Sequence, residues 1–172
     1  MKKPTNAFVL NEEICTQAFI DLLIHDDSDI KPIFATDNYS AYDAYFKQTN
    51  SKGVVKHYFV EIKHRKAHYD SFILEHKKLE GMRKQALKDY NVTLEECEFI
   101  YVNFTPKLTV SWNITRVDKE IEQEVGMFNK ATSRSIYDKK PKSVYYLPVT
   151  SGRVSNYKLD RPRMIERLGY AA

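Results

Sequence analysis

Two runs of aromatic and β-branched residues, joined by a turn-rich stretch, constrain this chain more than any other feature. The first is Tyr42-Asp43-Ala44-Tyr45-Phe46. The second is Val54-Val55-Lys56-His57-Tyr58-Phe59-Val60, continuing into Glu61-Ile62-Lys63, and Lys47-Gln48-Thr49-Asn50-Ser51-Lys52-Gly53 lies between them. Such a pattern predicts a hairpin of strand, loop and strand. Residues two apart on a strand point to the same face, so Glu61 and Lys63 share one. With Asp43 on the neighbouring strand, two carboxylates and an ammonium meet at one point. Carboxylates gathered this way suit Mg²⁺, and a lysine beside the metal can orient or deprotonate a water. These are the minimum parts for metal-assisted phosphodiester hydrolysis.

The 172-residue length predicts a single domain able to bury its own core. Hydrophobic residues make up 42% and charged residues 29%, and neither share points to a disordered chain or a membrane protein. The aromatic share of 13%, with twelve tyrosines and nine phenylalanines, is high enough to fill a core and leave some tyrosines to face a ligand. The net charge of +4 permits an anionic partner without demanding one. Lysine and arginine crowd into residues 56 to 88, around the hairpin site; a solvated, lysine-rich helix face would give the same crowding. Two cysteines, Cys15 and Cys97, without a pairing pattern, predict free thiols and a reducing, cytoplasmic setting. Ala7-Phe8-Val9-Leu10 is too short for a signal sequence, and no window approaches the roughly 18 apolar residues of a membrane span.

Along the chain, Asn11 is a candidate N-cap for a helix whose apolar stripe is Ile14, Cys15, Ala18, Phe19, Leu22 and Leu23. Asp26-Asp27-Ser28-Asp29 ends it. Ile33-Phe34-Ala35-Thr36 reads as a short strand. Phe72, Leu79, Met82, Ala86 and Tyr90 recur at helical spacing and predict one amphipathic helix over 70–89, capped by Asp70 and ended by Asn91-Val92-Thr93. Strands follow over 98–104 and 108–114. Ile121, Val125 and Phe128 suggest a helix over 118–130. Val144 to Val149 reads as a strand with Pro148 at its end or edge, and 160–168 as a brief basic helix. Helix, three strands, long helix and two strands imply a mixed β-sheet flanked by helices, an α/β (α+β) fold.

This order and these residues resemble the PD-(D/E)XK nuclease superfamily. Its restriction-endonuclease-like core runs αβββαβ, with an Asp at the start of the second core strand and Glu/Asp-x-Lys on the third. Asp43 matches the first element and Glu61-Ile62-Lys63 the second. Tyr42 stands where the motif has Pro. The resemblance covers about residues 11–114 and leaves 115–172 as a C-terminal extension of the same domain.

The resemblance implies a Mg²⁺-dependent deoxyribonuclease, with Mn²⁺ as a substitute and DNA as partner, of phage or mobile-element type and able to dimerise. Asp43, Glu61 and the backbone carbonyl of Ile62 would hold the metal. Lys63 would position the attacking water and offset transition-state charge. Glu12, rather than Glu13, would be the further acid from the first helix. Lys77 or Lys78 would face the site from the following helix, and Arg65, Lys66 and Tyr69 would grip backbone phosphates in a salt-sensitive way. A non-enzymatic binding module on the same scaffold is the alternative. A bland one also exists: an ordinary cross-strand carboxylate–lysine pair, worth about 0.2–1 kcal/mol. His64, His68 and His76 lack a completing ligand, so zinc is not expected.

Overall fold

The computed structural model describes residues 7–25, 30–34, 40–117, 123–129 and 139–170. Helix α1 spans Ala7–His25 and is followed by strands β1 (Ile33–Phe34), β2 (Ala44–Thr49), β3 (Val55–His64) and β4 (Ser71–Glu75). Helix α2 (His76–Tyr90) leads through a short 3₁₀ turn to β5 (Cys97–Phe104) and β6 (Thr109–Asn113). Then come β7 (Gln123–Asn129), β8 (Lys139–Pro148), β9 (Arg153–Ser155) and helix α3 (Arg161–Arg167). The class is mixed α and β, as the pattern of periods predicts.

Among the described residues the main sheet has the order β1-β2-β3-β5-β6-β9. β1, β2 and β3 form an antiparallel meander, β3 and β5 run parallel, and β6 and β9 return antiparallel. The parallel pair needs a crossover, and α2 supplies it. A second sheet, β4-β8-β7, is antiparallel throughout.

Period-two alternation along β3 and β5 feeds two cores. Phe59, Phe99, Tyr101 and Trp112 pack with Leu79, Met82 and Ala86 of α2 and with Phe72, Leu74, Tyr145 and Leu147 of the second sheet. On the opposite face Val60, Ile62, Val102 and Phe104 pack with Ile14, Ala18 and Phe19 of α1 and with Leu159 and Met164 near the C-terminus. The C-terminal third therefore contributes to both sheets and both cores. Arg161 donates to Asn11 Oδ1 at 2.7 Å, Tyr170 to Glu13 Oε2 at 2.7 Å, and Arg167 to both carboxylate oxygens of Asp21, fastening this segment to α1.

Several local expectations are corrected. Helix α1 begins four residues before Asn11, whose side chain bonds Arg161 instead of capping. The segment 71–75 is a strand, because alternate burial of Phe72 and Leu74 lets it pair with β8. Helix α2 thus starts at His76 with Glu75 at its N-cap, and Asp70 is no cap; its carbonyl accepts from the Val149 N–H. Asn91 ends α2 in the left-handed region, φ 49°, as the stop signal implies. Residues 123–129 form a strand paired with β8, with Val125 exposed, rather than a helix turn carrying Val125 and Phe128. Ala35, Thr36, residues 26–29 and Ile121 lie outside the described residues.

Candidate functional site

β3 and β5 run side by side to the same end, with Glu61 level with Tyr101 and Lys63 level with Asn103. The carboxyl ends of parallel strands form a natural crevice in sheets of this kind. β2 enters beside them. Its approach is set by α2, where Gln85 Oε1 accepts from the Ala41 N–H at 2.5 Å. Gly81 of the same helix leaves room for Ala41; a Cβ there would lie 3.3 Å from the Ala41 side chain. The Asp43 N–H then donates to the Val60 carbonyl at 2.8 Å, fixing Asp43 one residue before β2 begins.

Asp43 Oδ2 accepts from the Ile62 N–H at 2.6 Å. A strand residue directs its N–H and C=O to the same edge, so the Ile62 carbonyl faces the Asp43 side too. Burial, then the neighbouring Glu61 carboxylate, pushes the Asp43 carboxyl up to about 6; Lys63 and the Ile62 N–H only partly oppose this.

Glu61 is fully buried. One of its oxygens pairs with Lys63 Nζ and the other with Lys78 Nζ at 2.6 Å. Both contacts are ion pairs, and the Lys63 ammonium also hydrogen-bonds the carboxylate. Burial alone would lower the Lys63 pKa, but the Glu61 and Asp43 carboxylates outweigh it and hold it above the ordinary lysine value. Lys63 is therefore an ammonium at neutral pH. It can orient a water and offset negative charge, and it cannot act as a base while so paired.

The structure brings Asp43, Glu61, Lys63 and Lys78 together and places the Ile62 carbonyl toward them. It does not bring the others. Glu12 is exposed on α1, and no set of three or more His, Cys, Asp or Glu side chains converges among the described residues, so Glu12 does not join the two carboxylates. Glu13 is engaged by Tyr170. Arg65 is not free to grip a phosphate: it donates to Asn103 Oδ1 at 2.8 Å and to the Tyr101 hydroxyl at 2.7 Å, beside the Phe72 ring. Lys66, Tyr69 and Lys77 are exposed on the surface.

Three neighbours escape a reading of the motif alone. Asn103 is fully buried, with its Oδ1 accepting from Arg65 and its side chain beside the Tyr101 hydroxyl. Cys15 of α1 lies close enough to Asp43 that burial, then this carboxylate, pushes its thiol up to about 12. Arg161 lies within electrostatic reach of both Cys15 and His64, and burial followed by Arg161 holds the His64 pKa below the usual imidazole value. The pairing of Asn103 with Lys63 follows from strand alternation once the β3–β5 register is known; nothing local signals Arg161.

Asp43, Glu61 and the Ile62 carbonyl offer hard oxygen ligands, with Lys63 and Lys78 now paired to Glu61. By donor chemistry this set fits a small divalent cation that keeps several waters. Cys15 and Cys97 are free thiols, and no described helix is long and apolar enough to cross a membrane. No protein-family model matches this sequence, and comparison with curated proteins finds none similar to it.

Proposed function

We propose that this chain is a Mg²⁺-dependent nuclease that hydrolyses DNA phosphodiester bonds on a restriction-endonuclease-like core. The observation that carries the proposal is the meeting of Asp43, Glu61 and Lys63 at the carboxyl end of the β3–β5 pair. The order α1-β1-β2-β3-α2-β5, with an antiparallel meander and then a parallel strand, is consistent with that core; β4 is an insertion between β3 and α2.

In this reading Asp43, Glu61 and the Ile62 carbonyl hold the metal. The ion, when bound, polarises the scissile phosphate and lowers the pKa of a bound water. The Ile62 N–H keeps Asp43 turned toward the cleft. Lys63, protonated, orients the attacking water and offsets charge on the pentacovalent phosphorus. Lys78 supplies a second ammonium at the same point. Lys66, Lys77 and Tyr69, all exposed, are the candidates for contact with flanking phosphates.

A second reading is a binding module that does not cut. Two observations favour it: Glu61 is covered by two lysines, and no third acid joins Asp43 and Glu61 among the described residues. Incubation of the purified chain with plasmid and single-stranded DNA in Mg²⁺ or Mn²⁺ decides between them. Metal-dependent cleavage, lost in Asp43→Asn and Glu61→Gln, supports the nuclease. Retention of DNA without any cleavage in either metal supports the binding module.

A further inference from the structure

We infer that Lys78 is a phosphate-operated latch on Glu61, so that DNA and the divalent cation bind cooperatively. The inference rests on the nuclease reading and adds a regulation to the same site. Glu61 has no exposed surface, and each of its oxygens meets an ammonium group, one from its own strand and one from α2. A carboxylate so placed is closed to a cation while the lysines stay where they are.

The two lysines are not equivalent. Lys63 follows Glu61 by two residues on one strand, so the backbone holds it on the same face. Lys78 comes from the first turn of a different element, and its side chain is 29% exposed, so its head can leave without moving the sheet. An ammonium repels a divalent cation and attracts a phosphate. A phosphodiester arriving at the cleft therefore draws Lys78 outward and uncovers one oxygen of Glu61. The cation gains a ligand at the moment its substrate is present. By linkage, the cation in turn raises affinity for DNA by the same factor.

Lys78 is thus a positioning residue, acting on metal affinity through Glu61. The test is Mn²⁺ binding to the full chain, followed by electron paramagnetic resonance, with and without a short DNA duplex. For the wild type, DNA tightens Mn²⁺ binding about tenfold or more. Lys78→Met binds Mn²⁺ about tenfold more tightly than the wild type without DNA, and gains less from the duplex. Lys78→Arg keeps the wild-type pattern. Thermal melting provides a second readout, since Mn²⁺ raises the Tm of Lys78→Met more than that of the wild type. If Lys78→Met is folded and binds Mn²⁺ no more tightly than the wild type, the latch is wrong while the nuclease reading stands. If the wild type takes up no Mn²⁺ even with DNA and cuts nothing, the nuclease reading falls and the latch with it.

Discussion

Asp43 and Ile62 are joined by a 2.6 Å hydrogen bond from the Ile62 N–H to Asp43 Oδ2, one residue beyond the buried Glu61. The bond turns Asp43 toward a second carboxylate, an arrangement that the isolated fold does not favour. Burial, then the neighbouring Glu61 carboxylate, pushes the Asp43 carboxyl from its usual 3.8 up to about 6.

A stability cost follows with a definite sign. The folded state binds the Asp43 proton more tightly than the unfolded chain, so stability falls as pH rises through about 4 to 6 and stays lowered above. The loss is on the order of 2–3 kcal/mol. Asp43→Asn keeps an oxygen for the Ile62 N–H and removes the charge. It should raise the Tm at pH 8 by several degrees and leave it nearly unchanged at pH 4. A gain of equal size at both pH values would show that Asp43 is not the titrating group.

Metal uptake should depend on pH in the opposite sense. Asp43 must lose its proton to act as a ligand, so Mn²⁺ affinity should fall about tenfold per pH unit below about 6. Isothermal titration at pH 5, 6 and 7.5 checks this; a flat profile removes Asp43 from the ligand set.

Glu61→Gln and Lys63→Met should each lower cleavage by about 10²-fold or more, since charge at the reacting centre is the main resource such a site has. Glu61 is fully buried, so an isosteric change is the informative one; truncation to Ala would add a cavity. Far-UV circular dichroism should stay that of the wild type. Cleavage at wild-type rate in both variants would move the chemistry elsewhere.

Arg65 should behave as a structural residue. Its guanidinium satisfies Asn103 Oδ1 and the Tyr101 hydroxyl inside the fold. Arg65→Met should therefore cost about 1–3 kcal/mol in urea unfolding and leave the salt dependence of DNA binding unchanged. Lys66→Met, on the exposed loop, should do the reverse and reduce the salt slope by about one. The two slopes, measured by fluorescence anisotropy, separate a brace from a phosphate contact.

Gly152, in the turn between β8 and β9, lies tightly against β6. A Cβ there would lie 2.6 Å from Val110 Cγ1 and 2.8 Å from the Trp112 indole. Gly152→Ala should destabilise by about 1–3 kcal/mol. Trp112, the chain's single tryptophan, donates to the Pro148 carbonyl at 3.0 Å and is nearly buried, so its emission reports the damage directly. An unshifted spectrum with unchanged stability would mean that the indole moves aside freely.

The site's centre is legible in the sequence because it obeys one local rule. Glu61 and Lys63 are two apart on a strand, and strand alternation alone puts them together. Lys78 could be named only as one of two candidates, because which lysine reaches Glu61 depends on how α2 lies on the sheet and so on where α2 starts after β4. That start is misread from periodicity: Phe72 lies at a helical offset from Leu79, yet Phe72 and Leu74 also satisfy a strand's alternation. The decision comes from Phe72 pairing with Leu147, and no local window contains that information. The same applies to Val125, whose strand exists by pairing with Ser143. Arg65 reads as a basic loop residue until the β3–β5 register places Asn103 and Tyr101 beneath it.

The bonds from Arg161 to Asn11 and from Tyr170 to Glu13 join residues 150 and 157 positions apart. Helix α1 shares its apolar side with the segment carrying Leu159 and Met164, so much of its burial comes from the far end of the chain. Loop closure over such a span costs entropy before any contact offsets it. Helix α1 is therefore locked in place only once the distant segment carrying Leu159 and Met164 arrives, and until then one face of the sheet, next to the acidic pair, stays open to water.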